Sequence, residues 1–306
     1  MNKENSKAID ILLAEASTPI RWRVEREILG RDTPETVKES DLVEWPQVRK
    51  NLDLLTGDCR FNWLHSSMDK ALENICGELY DLGVRKGSPV LDKRLELYFD
   101  YLKSFIPGKP PFGGFLASLL SASATLLGYG DHPTVSKQVS DRLEYLLGFR
   151  REFDPRCFYV PDPSDMPKVW RGKDQMVNPD YYDPVLGISL PLIHDLISWG
   201  GITDKITKRK AEELLGFILS PDYQDHIKPG FGTVKAAPHR YYAMGWSVHV
   251  PGWKREPEPE DMAHVVRLME FFAHFRSGYS SEWFSRSLAW LEGFVGEDGL
   301  CHVPKT

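Results

Sequence analysis

The sequence predicts an all-α protein built from repeated helical hairpins. Two turns share one pattern, in which Leu-Gly ends an apolar helix and a proline opens the next helix: Leu82-Gly83 precedes Pro89, and Leu127-Gly128 precedes Pro133. Glycine suits the end of a helix because it adopts the left-handed conformation readily, and proline suits the first turn, where its missing N–H is not needed. The two copies lie roughly 45 residues apart, a spacing typical of helix-pair repeats.

The most regular copy of this hairpin spans residues 111–147. Its first helix, 114–127, is apolar or small on nearly every face, and a helix of that kind has to be enclosed by other elements. Its second helix, 135–147, places Val135 and Val139 on one face and charged side chains on the other. The copy therefore predicts an inner helix followed by an outer, amphipathic helix.

The remaining helices are placed by the same signals of apolar periodicity, proline at the start and glycine at the end. They are predicted at residues 20–29, 45–55, 61–82, 89–105, 182–199, 203–219, 260–275 and 282–294. Pro191 lies inside one of them and is expected to kink it. Two irregular, aromatic segments, 148–180 and 221–257, interrupt the repeat, and we expect ordered loops there. The chain 1–306 is predicted to form a single α-helical domain.

Composition and charge narrow the class of partner. The chain is 42% hydrophobic and 27% charged, with a formal net charge of −6. This mild acidity argues against a nucleic-acid partner. The densest basic run, 205–210, is interpreted as the solvated face of an outer helix. A small-molecule ligand, apolar or sugar-like, is the partner that we expect.

The location of the protein is inferred from its hydrophobic runs and its cysteines. No apolar run reaches the ~20 residues that span a bilayer, and the N-terminal residues lack the apolar core of a signal peptide. The four cysteines are widely scattered, which favours reduced thiols over a disulfide framework. We therefore expect a cytoplasmic protein with no transmembrane segment, and peripheral contact with a membrane and the oligomeric state stay open.

Several short motifs resemble the helical-hairpin repeat of the squalene cyclase and protein prenyltransferase β-subunit superfamily. They are Gly113-Gly114-Phe115, Leu127-Gly128-Tyr129, Asp298-Gly299-Leu300, Tyr181-Tyr182-Asp183 and the segment 17–22. The last two resemble small bacterial squalene-cyclase-like proteins in particular. The resemblance covers most of the chain and implies a closed α/α toroid, in which inner helices alternate with outer helices around a central cavity.

Two catalytic motifs of that superfamily are absent from the chain. Class II triterpene cyclases protonate an alkene with an Asp-x-Asp-Asp cluster, and no such string occurs. Protein prenyltransferases hold zinc partly through Asp-x-Cys, whereas Asp58 is adjacent to Cys59 here and Asp154 lies three residues from Cys157. We therefore expect neither a metal ion nor a cofactor.

The implied ring would gather the N-terminal ends of its inner helices at one mouth, where unpaired N–H groups leave a partial positive charge. The side chains at that mouth are the first set of candidate ligand contacts and catalytic groups: Trp63, His65, Phe112, Asp180, Tyr181, Tyr182, Asp183 and His264. Asp183 is the preferred general acid or base, with Tyr182 beside it, because desolvation raises the pKa of a carboxylate among aromatic side chains. Helix capping by Asp180 and Asp183 is the alternative.

A second cluster of candidates lies at residues 239–242. It combines an imidazole, a cation and two phenols, groups that polysaccharide lyases on α/α toroids use to neutralise a uronate and abstract a proton. We therefore single out His239 and Tyr241 as catalytic, with Arg240 and Tyr242 as substrate contacts. A tyrosine-rich loop packed across the ring is the alternative.

These observations lead to one functional expectation and two alternatives. The expectation is that an apolar or isoprenoid-like small molecule binds in a central aromatic cavity, walled in part by Trp170 and Trp246, and undergoes acid-catalysed cyclisation or isomerisation at Asp183. The first alternative is a carbohydrate-active lyase or hydrolase. The second is a non-catalytic binding or scaffold protein, and no motif in the chain decides whether it is an enzyme.

Overall fold

A computed structural model describes residues 3–104, 113–162, 164, 166–172, 175–183, 187–230, 232–245 and 247–302, with side chains from residue 7 onward. Over these residues the protein is mostly helical, at 56% helix, which confirms the all-α prediction. One cluster of buried apolar side chains extends through them, from Leu42 to Trp283. None of the helices described is long and apolar enough to cross a membrane.

Fifteen α-helices lie in the described part of the chain. In chain order they are α1 Lys3–Glu15, α2 Thr18–Arg23, α3 Glu39–Val43, α4 Pro46–Leu54, α5 Phe61–Leu64, α6 Leu72–Asp81, α7 Pro89–Lys103, α8 Gly113–Leu126, α9 Pro133–Arg150, α10 Ile193–Trp199, α11 Lys205–Ile218, α12 Pro221–Gln224, α13 Met262–Phe272, α14 Arg276–Tyr279 and α15 Glu282–Glu292. A π-helical turn, Val24–Ile28, continues α2. Most of the predicted helices are therefore confirmed to within a few residues.

Two antiparallel β-hairpins lie in the segments that carry the candidate tyrosines. Their strands are β1 Tyr182–Asp183 with β2 Gly187–Ile188, and β3 Gly232–Ala237 with β4 Arg240–Met244. In the second hairpin Val234 lies opposite Tyr242. The prediction that 221–257 is irregular is wrong over this hairpin, where β-branched and aromatic residues form a pleated pair of strands.

The helix α8 is the inner helix that its composition predicts. Nearly all of its residues are buried. It packs most extensively on α10 and also contacts α6, α7 and α9. Gly128 follows it with a φ of +96°, the left-handed conformation that ends a helix. The next helix, α9, begins at Pro133 and buries Val139 and Leu143 while it exposes Lys137, so the amphipathic outer helix is confirmed as well.

The single helix predicted over 61–82 is wrong, because turns separate α5 from α6. In these turns the side-chain amide of Asn74 donates to the carbonyl oxygens of Ser66 and Met68, both at 2.9 Å. The carboxylate of Glu73 accepts from the backbone N–H of Ser66 at 3.1 Å. Side chains thus take the bonds that a continuous helix would have made through its backbone.

The helix predicted over 182–199 is wrong in its first half, where the hairpin of β1 and β2 lies instead. Pro191 precedes α10 and does not kink it. Asp195, in the first turn of α10, accepts from the backbone N–H of Leu192 at 2.9 Å. The proline and this side-chain cap together set the start of the helix.

Side chains of α13 reach α6, although the two helices are far apart in the sequence. Glu270 accepts from the hydroxyl of Tyr80, and Arg267 forms an ion pair with Asp81. The guanidinium carbon of Arg267 lies 4.9 Å from the ring centroid of Tyr80. These bonds connect the last helical hairpin, which begins with α13, to the hairpin of α6 and α7.

Candidate functional site

A cavity of about 530 Å³ lies between the inner helix α8 and the outer helix α9, with α7 and α10 at its sides. This volume falls within the range of small-molecule sites in proteins. Its wall is mostly apolar and includes Leu102, Val139 and Trp199. The cavity is therefore the candidate ligand site.

The space for the cavity comes from small residues on one face of α8. Gly114, Ala117, Ser118 and Ser121 follow one another at intervals of three, one and three residues, and all four line the cavity. Residues three and four apart lie on the same side of an α-helix. A larger side chain at any of these positions would project into the cavity, so the small residues of α8 create its volume.

Arg142 and Asp195 form a buried ion pair in the cavity wall. Their side chains are 11% and 2% exposed, and Nη2 of Arg142 lies 3.0 Å from Oδ2 of Asp195. Arg142 also donates to the carbonyl oxygens of Ile188 at 2.8 Å and Leu190 at 3.1 Å. Asp195 accepts from the hydroxyl of Ser118 at 3.0 Å. These bonds offset the desolvation of both charges, so the pair holds the β1–β2 hairpin against the cavity.

Ser121 presents an unsatisfied hydroxyl at the same cavity. The residue is 2% exposed, and its Oγ has no hydrogen-bond partner among the described residues. A buried polar group without a partner costs about 1–3 kcal/mol. Because buried polar groups are normally bonded, this hydroxyl marks the place where a bound molecule or water supplies the missing partner.

Three tyrosines and Asp183 are gathered beside the cavity. Tyr145 lines it and donates to the carbonyl oxygen of Gly187 at 3.1 Å. Burial, together with the neighbouring Tyr242, Asp183 and Tyr145, raises the pKa of Tyr182 to about 12. Burial and the charge of Asp183 also raise the pKa of Tyr145. These two phenols therefore stay protonated at neutral pH, and the predicted Tyr182, Asp183 and Tyr242 lie next to one another.

The other members of the second predicted cluster lie elsewhere. His239 and Arg240 are exposed where β3 turns into β4, and His239 has a φ of +60°. Tyr241 lies opposite Lys235, whose ammonium is 6.0 Å from its ring centroid. None of the three lines the cavity, so of this cluster only Tyr242 reaches the group around Asp183.

Several residues predicted at a common helix mouth are separated in the structure. The ring of Trp63 lies 4.2 Å from the ammonium of Lys70. Tyr181 is buried in aromatic packing, with its ring centroid 5.4 Å from that of Phe153. His264 is exposed in the first turn of α13. None of these predicted residues lines the cavity.

Asp180 and Asp183 do not cap a helix. Asp180 is exposed, and Asn178 caps the single 3₁₀ turn there by accepting from the N–H of Asp180 at 3.1 Å. Asp183 lies in strand β1. The capping alternative is therefore wrong for both carboxylates.

The structure describes only one of the two tryptophans predicted to wall the pocket. Trp170 is half-buried in a turn and does not line the cavity. Phe112 and Trp246 lie outside the described residues.

His65 belongs to a cluster that the sequence does not reveal. Its Nδ1 lies 2.7 Å from one carboxylate oxygen of Glu73, and Nε2 of His194 lies 3.7 Å from the other. The ring of Phe115 packs edge-on against both imidazoles. Burial acts to raise the pKa of Glu73, but the interactions with His194 and His65 outweigh it and lower that pKa to about 2. Helical periodicity could not place Glu73 beside His65, because turns lie between them.

The described residues contain no group of three or more His, Cys, Asp and Glu side chains placed to hold a metal ion. The two imidazoles and the carboxylate of Glu73 interact with one another in a partly buried cluster. The cavity, with the unbonded hydroxyl of Ser121 in its wall, is therefore the better candidate for a ligand site.

Comparisons with known proteins identify no relative. No protein-family model, no curated protein and no solved structure matches this chain. The superfamily resemblance therefore stays a prediction, and the geometry of the cavity is the feature that bears on function.

Proposed function

We propose that the chain binds a small, mostly apolar molecule in the cavity between α8 and α9, and that Ser121 hydrogen-bonds to the one polar group of this ligand. The unsatisfied hydroxyl of Ser121 carries the proposal, since a bound ligand supplies the hydrogen bond that folding left unmade. The apolar wall, which includes Leu102, Val139 and Trp199, contacts the rest of the molecule. An isoprenoid-like alcohol or ketone combines these features.

The charges around the cavity favour a neutral ligand. Arg142 and Asp195 compensate each other, and Lys137 at the cavity is paired with Asp141. An ionised ligand would lose its hydration without gaining an unpaired opposite charge. The polar group of the ligand is therefore a hydroxyl or a carbonyl.

The setting that we propose for this cavity is a closed α/α ring of four helical hairpins. Its support comes from the packing of α6 on α8 and of α8 on α10, and from the bonds of Glu270 and Arg267 in α13 with Tyr80 and Asp81 in α6. In such a ring α6, α8, α10 and α13 are inner helices, and α7, α9, α11 and α15 are outer helices. The ligand would then lie between the two layers.

A cytoplasmic location is part of the same proposal. All four cysteines are free thiols. Reduced thiols are typical of the cytoplasm, where stable disulfides are rare.

A displacement titration tests the binding proposal. A fluorescent apolar probe is bound to the purified protein and displaced with farnesol, and the titration is repeated on Ser121→Ala and Ser121→Leu. Ser121→Ala is expected to weaken farnesol binding about fivefold, because one hydrogen bond contributes on the order of 1 kcal/mol. Ser121→Leu removes the hydroxyl and projects a larger apolar side chain into the cavity, and it is expected to weaken binding more than Ser121→Ala does.

The matched control is Ser123→Ala, which removes a buried hydroxyl from the same helix without touching the cavity lining. It is expected to bind farnesol as the unaltered protein does. Equal affinity in the unaltered protein and Ser121→Leu would exclude this site, and so would a failure of the unaltered protein to bind both the probe and farnesol.

The tyrosine cluster supports a second candidate function, acid-catalysed cyclisation or isomerisation of the bound molecule. Tyr145 lines the cavity and lies near Asp183, and aromatic rings stabilise a developing cation. Asp183 in its protonated form would donate the proton, and its carboxylate would then take a proton back from the rearranged cation. Asp183→Asn is expected to keep probe binding and to lose any conversion of farnesol, followed by mass spectrometry. Conversion at an unchanged rate would remove Asp183 from this role.

A further inference from the structure

A groove of about 760 Å³ between α11 and α14 is lined by none of the residues that line the ligand cavity. Lys205, Lys208 and Arg209 line this basic groove from α11, and Arg276 lines it from α14. The chain as a whole has a formal net charge of −6. The groove is therefore positively charged, although the net charge of the chain is negative.

The two carboxylates that line the basic groove are already engaged. Glu212 accepts from the backbone N–H groups of Arg276 at 2.6 Å and Ser277 at 2.9 Å. Glu213 forms its ion pair with Arg150 of α9, outside the groove. Among the described residues, none of the four cations has a carboxylate within ion-pair distance. The lining therefore carries four cations and two carboxylates, an excess of positive charge, and the ammonium of Lys208 also lies 5.8 Å from the ring centroid of Phe275.

The imidazole of His274 indicates the same positive field. This residue follows α13, close to the end of the groove that holds Arg276. Burial lowers the pKa of His274, and the charge of Lys208 lowers it further. The electrostatic part of this shift has the same source as the field of the groove, the ammonium of Lys208.

The spacing of the cations fits an extended acidic peptide. Lys205 and Arg209 are about one helical turn apart, at a distance of about 6 Å along α11. In an extended chain, every second side chain points to the same face, at intervals of about 7 Å. Acidic residues at alternate positions of such a chain would lie over successive cations of α11, with Arg276 on the opposite wall.

A nucleic acid fits the basic groove less well. Single-stranded nucleic acids are held by aromatic rings on which their bases stack, and none of the described lining residues of the groove is aromatic. The net negative charge of the chain also repels a long polyanion, whereas a short acidic segment meets mainly the local positive field.

We propose that the basic groove binds an extended, acidic peptide segment of a partner protein through Lys205, Lys208, Arg209 and Arg276. The partner displaces water from these cations and supplies further carboxylates to a groove in which cations are in excess. The interaction does not involve the ligand cavity, so the two sites can be tested separately.

Fluorescence anisotropy with a labelled peptide of alternating glutamate and serine tests this proposal. The peptide is titrated at low salt with the unaltered protein and with the double variant Lys208→Glu/Arg209→Glu. The variant is expected to bind at least about tenfold more weakly, a loss of about 1.4 kcal/mol. A peptide with glutamine in place of glutamate is expected not to bind.

The matched control is Lys50→Glu/Lys93→Glu, which makes the same change in net charge at exposed lysines of α4 and α7. It is expected to weaken binding less than about twofold, because its charges lie outside the groove. Circular dichroism checks that both variants keep their helix content.

Three results would overturn the proposal. The first is an equal loss of affinity in the two double variants, which would indicate diffuse attraction. The second is equal binding of the glutamate and glutamine peptides. The third is tighter binding of a single-stranded oligonucleotide of the same charge, lost in Lys208→Glu/Arg209→Glu, which would make the groove a nucleic-acid surface.

Discussion

The ligand cavity and the basic groove differ in how their charged side chains are paired. In the cavity wall the guanidinium of Arg142 is held by Asp195 and by two backbone carbonyl oxygens, so that no charge is left for the ligand. In the basic groove four cations outnumber two carboxylates, and among the described residues none of these cations forms an ion pair. Burial explains the difference, because a charge removed from water needs an internal partner and a hydrated charge does not.

This difference separates what the two sites can recognise. The cavity selects a ligand by its shape and by one hydrogen bond to Ser121, and its affinity should depend little on salt. The basic groove selects by charge, so its affinity should depend strongly on salt. Binding in one site is therefore expected to be measurable without disturbing the other.

The largest expected effect comes from breaking the internal compensation of the cavity wall. Arg142→Met removes one partner of a pair whose side chains are 11% and 2% exposed, and it leaves Asp195 buried without its cation. We expect a loss of about 3–5 kcal/mol in the free energy of unfolding. Urea denaturation followed by circular dichroism measures it.

The control for this change is Lys137→Met, which removes an exposed cation of the same helix and should alter stability by less than about 1 kcal/mol. The double variant Arg142→Met/Asp195→Leu is expected to recover part of the loss, because no charge is then left buried. A double variant less stable than Arg142→Met would contradict internal compensation as the reason.

Glu73 is a partly buried carboxylate whose charge is balanced by two imidazoles, where Asp195 has a guanidinium. Its pKa is lowered from its ordinary value of 4.5 to about 2. A lowered carboxylate pKa contributes stability that is complete above the ordinary value and is lost as the pH falls toward the lowered value. We expect Glu73 to account for a loss of about 3 kcal/mol between about pH 5 and pH 2.

Unfolding free energies measured across this pH range for the unaltered protein and Glu73→Gln check the prediction. Glu73→Gln cannot lose this contribution, so its stability should fall less steeply with decreasing pH. Parallel profiles for the two proteins would show that the pKa of Glu73 is the same in the folded and unfolded states.

The smallest expected effect is the change in binding affinity with salt concentration, which should differ between the cavity and the basic groove. Raising the ionic strength from low to about physiological should weaken the binding of the acidic peptide about tenfold, because salt screens exposed charges. The same change should leave farnesol binding within about twofold, since the cavity offers it no unpaired charge. A peptide affinity that does not respond to salt would mean that the basic groove binds by something other than its cations.

The part of the fold that could be predicted is the part that local signals decide. The helices α7, α8, α9 and α11 begin and end close to the predicted residues, because proline, glycine and apolar periodicity act within a single element. The break between α5 and α6 was not predictable in this way. It depends on Asn74 and Glu73 bonding backward to the turn around Ser66, which competes with a helix of good intrinsic pattern.

The site was predictable only in part, for a similar reason. Tyr182, Asp183 and Tyr242 were singled out by their chemistry, and the structure brings them together, but their neighbour Tyr145 comes from an outer helix that the repeat pattern marked as ordinary. His239 and Arg240 have equally suggestive chemistry, yet the β3–β4 hairpin turns them outward. Residue type shows what a group can do and leaves its position undecided.

The sequence by itself determined the helical class and, in α8 and α9, a buried apolar helix followed by an amphipathic one, because both follow from the spacing of residue types along one element. Only the tertiary structure decided that Arg142 meets Asp195, that Glu73 lies between two histidines, and that Ser121 is left without a partner. These outcomes depend on how elements distant in the chain pack, and a polar group is satisfied or not only in that packing.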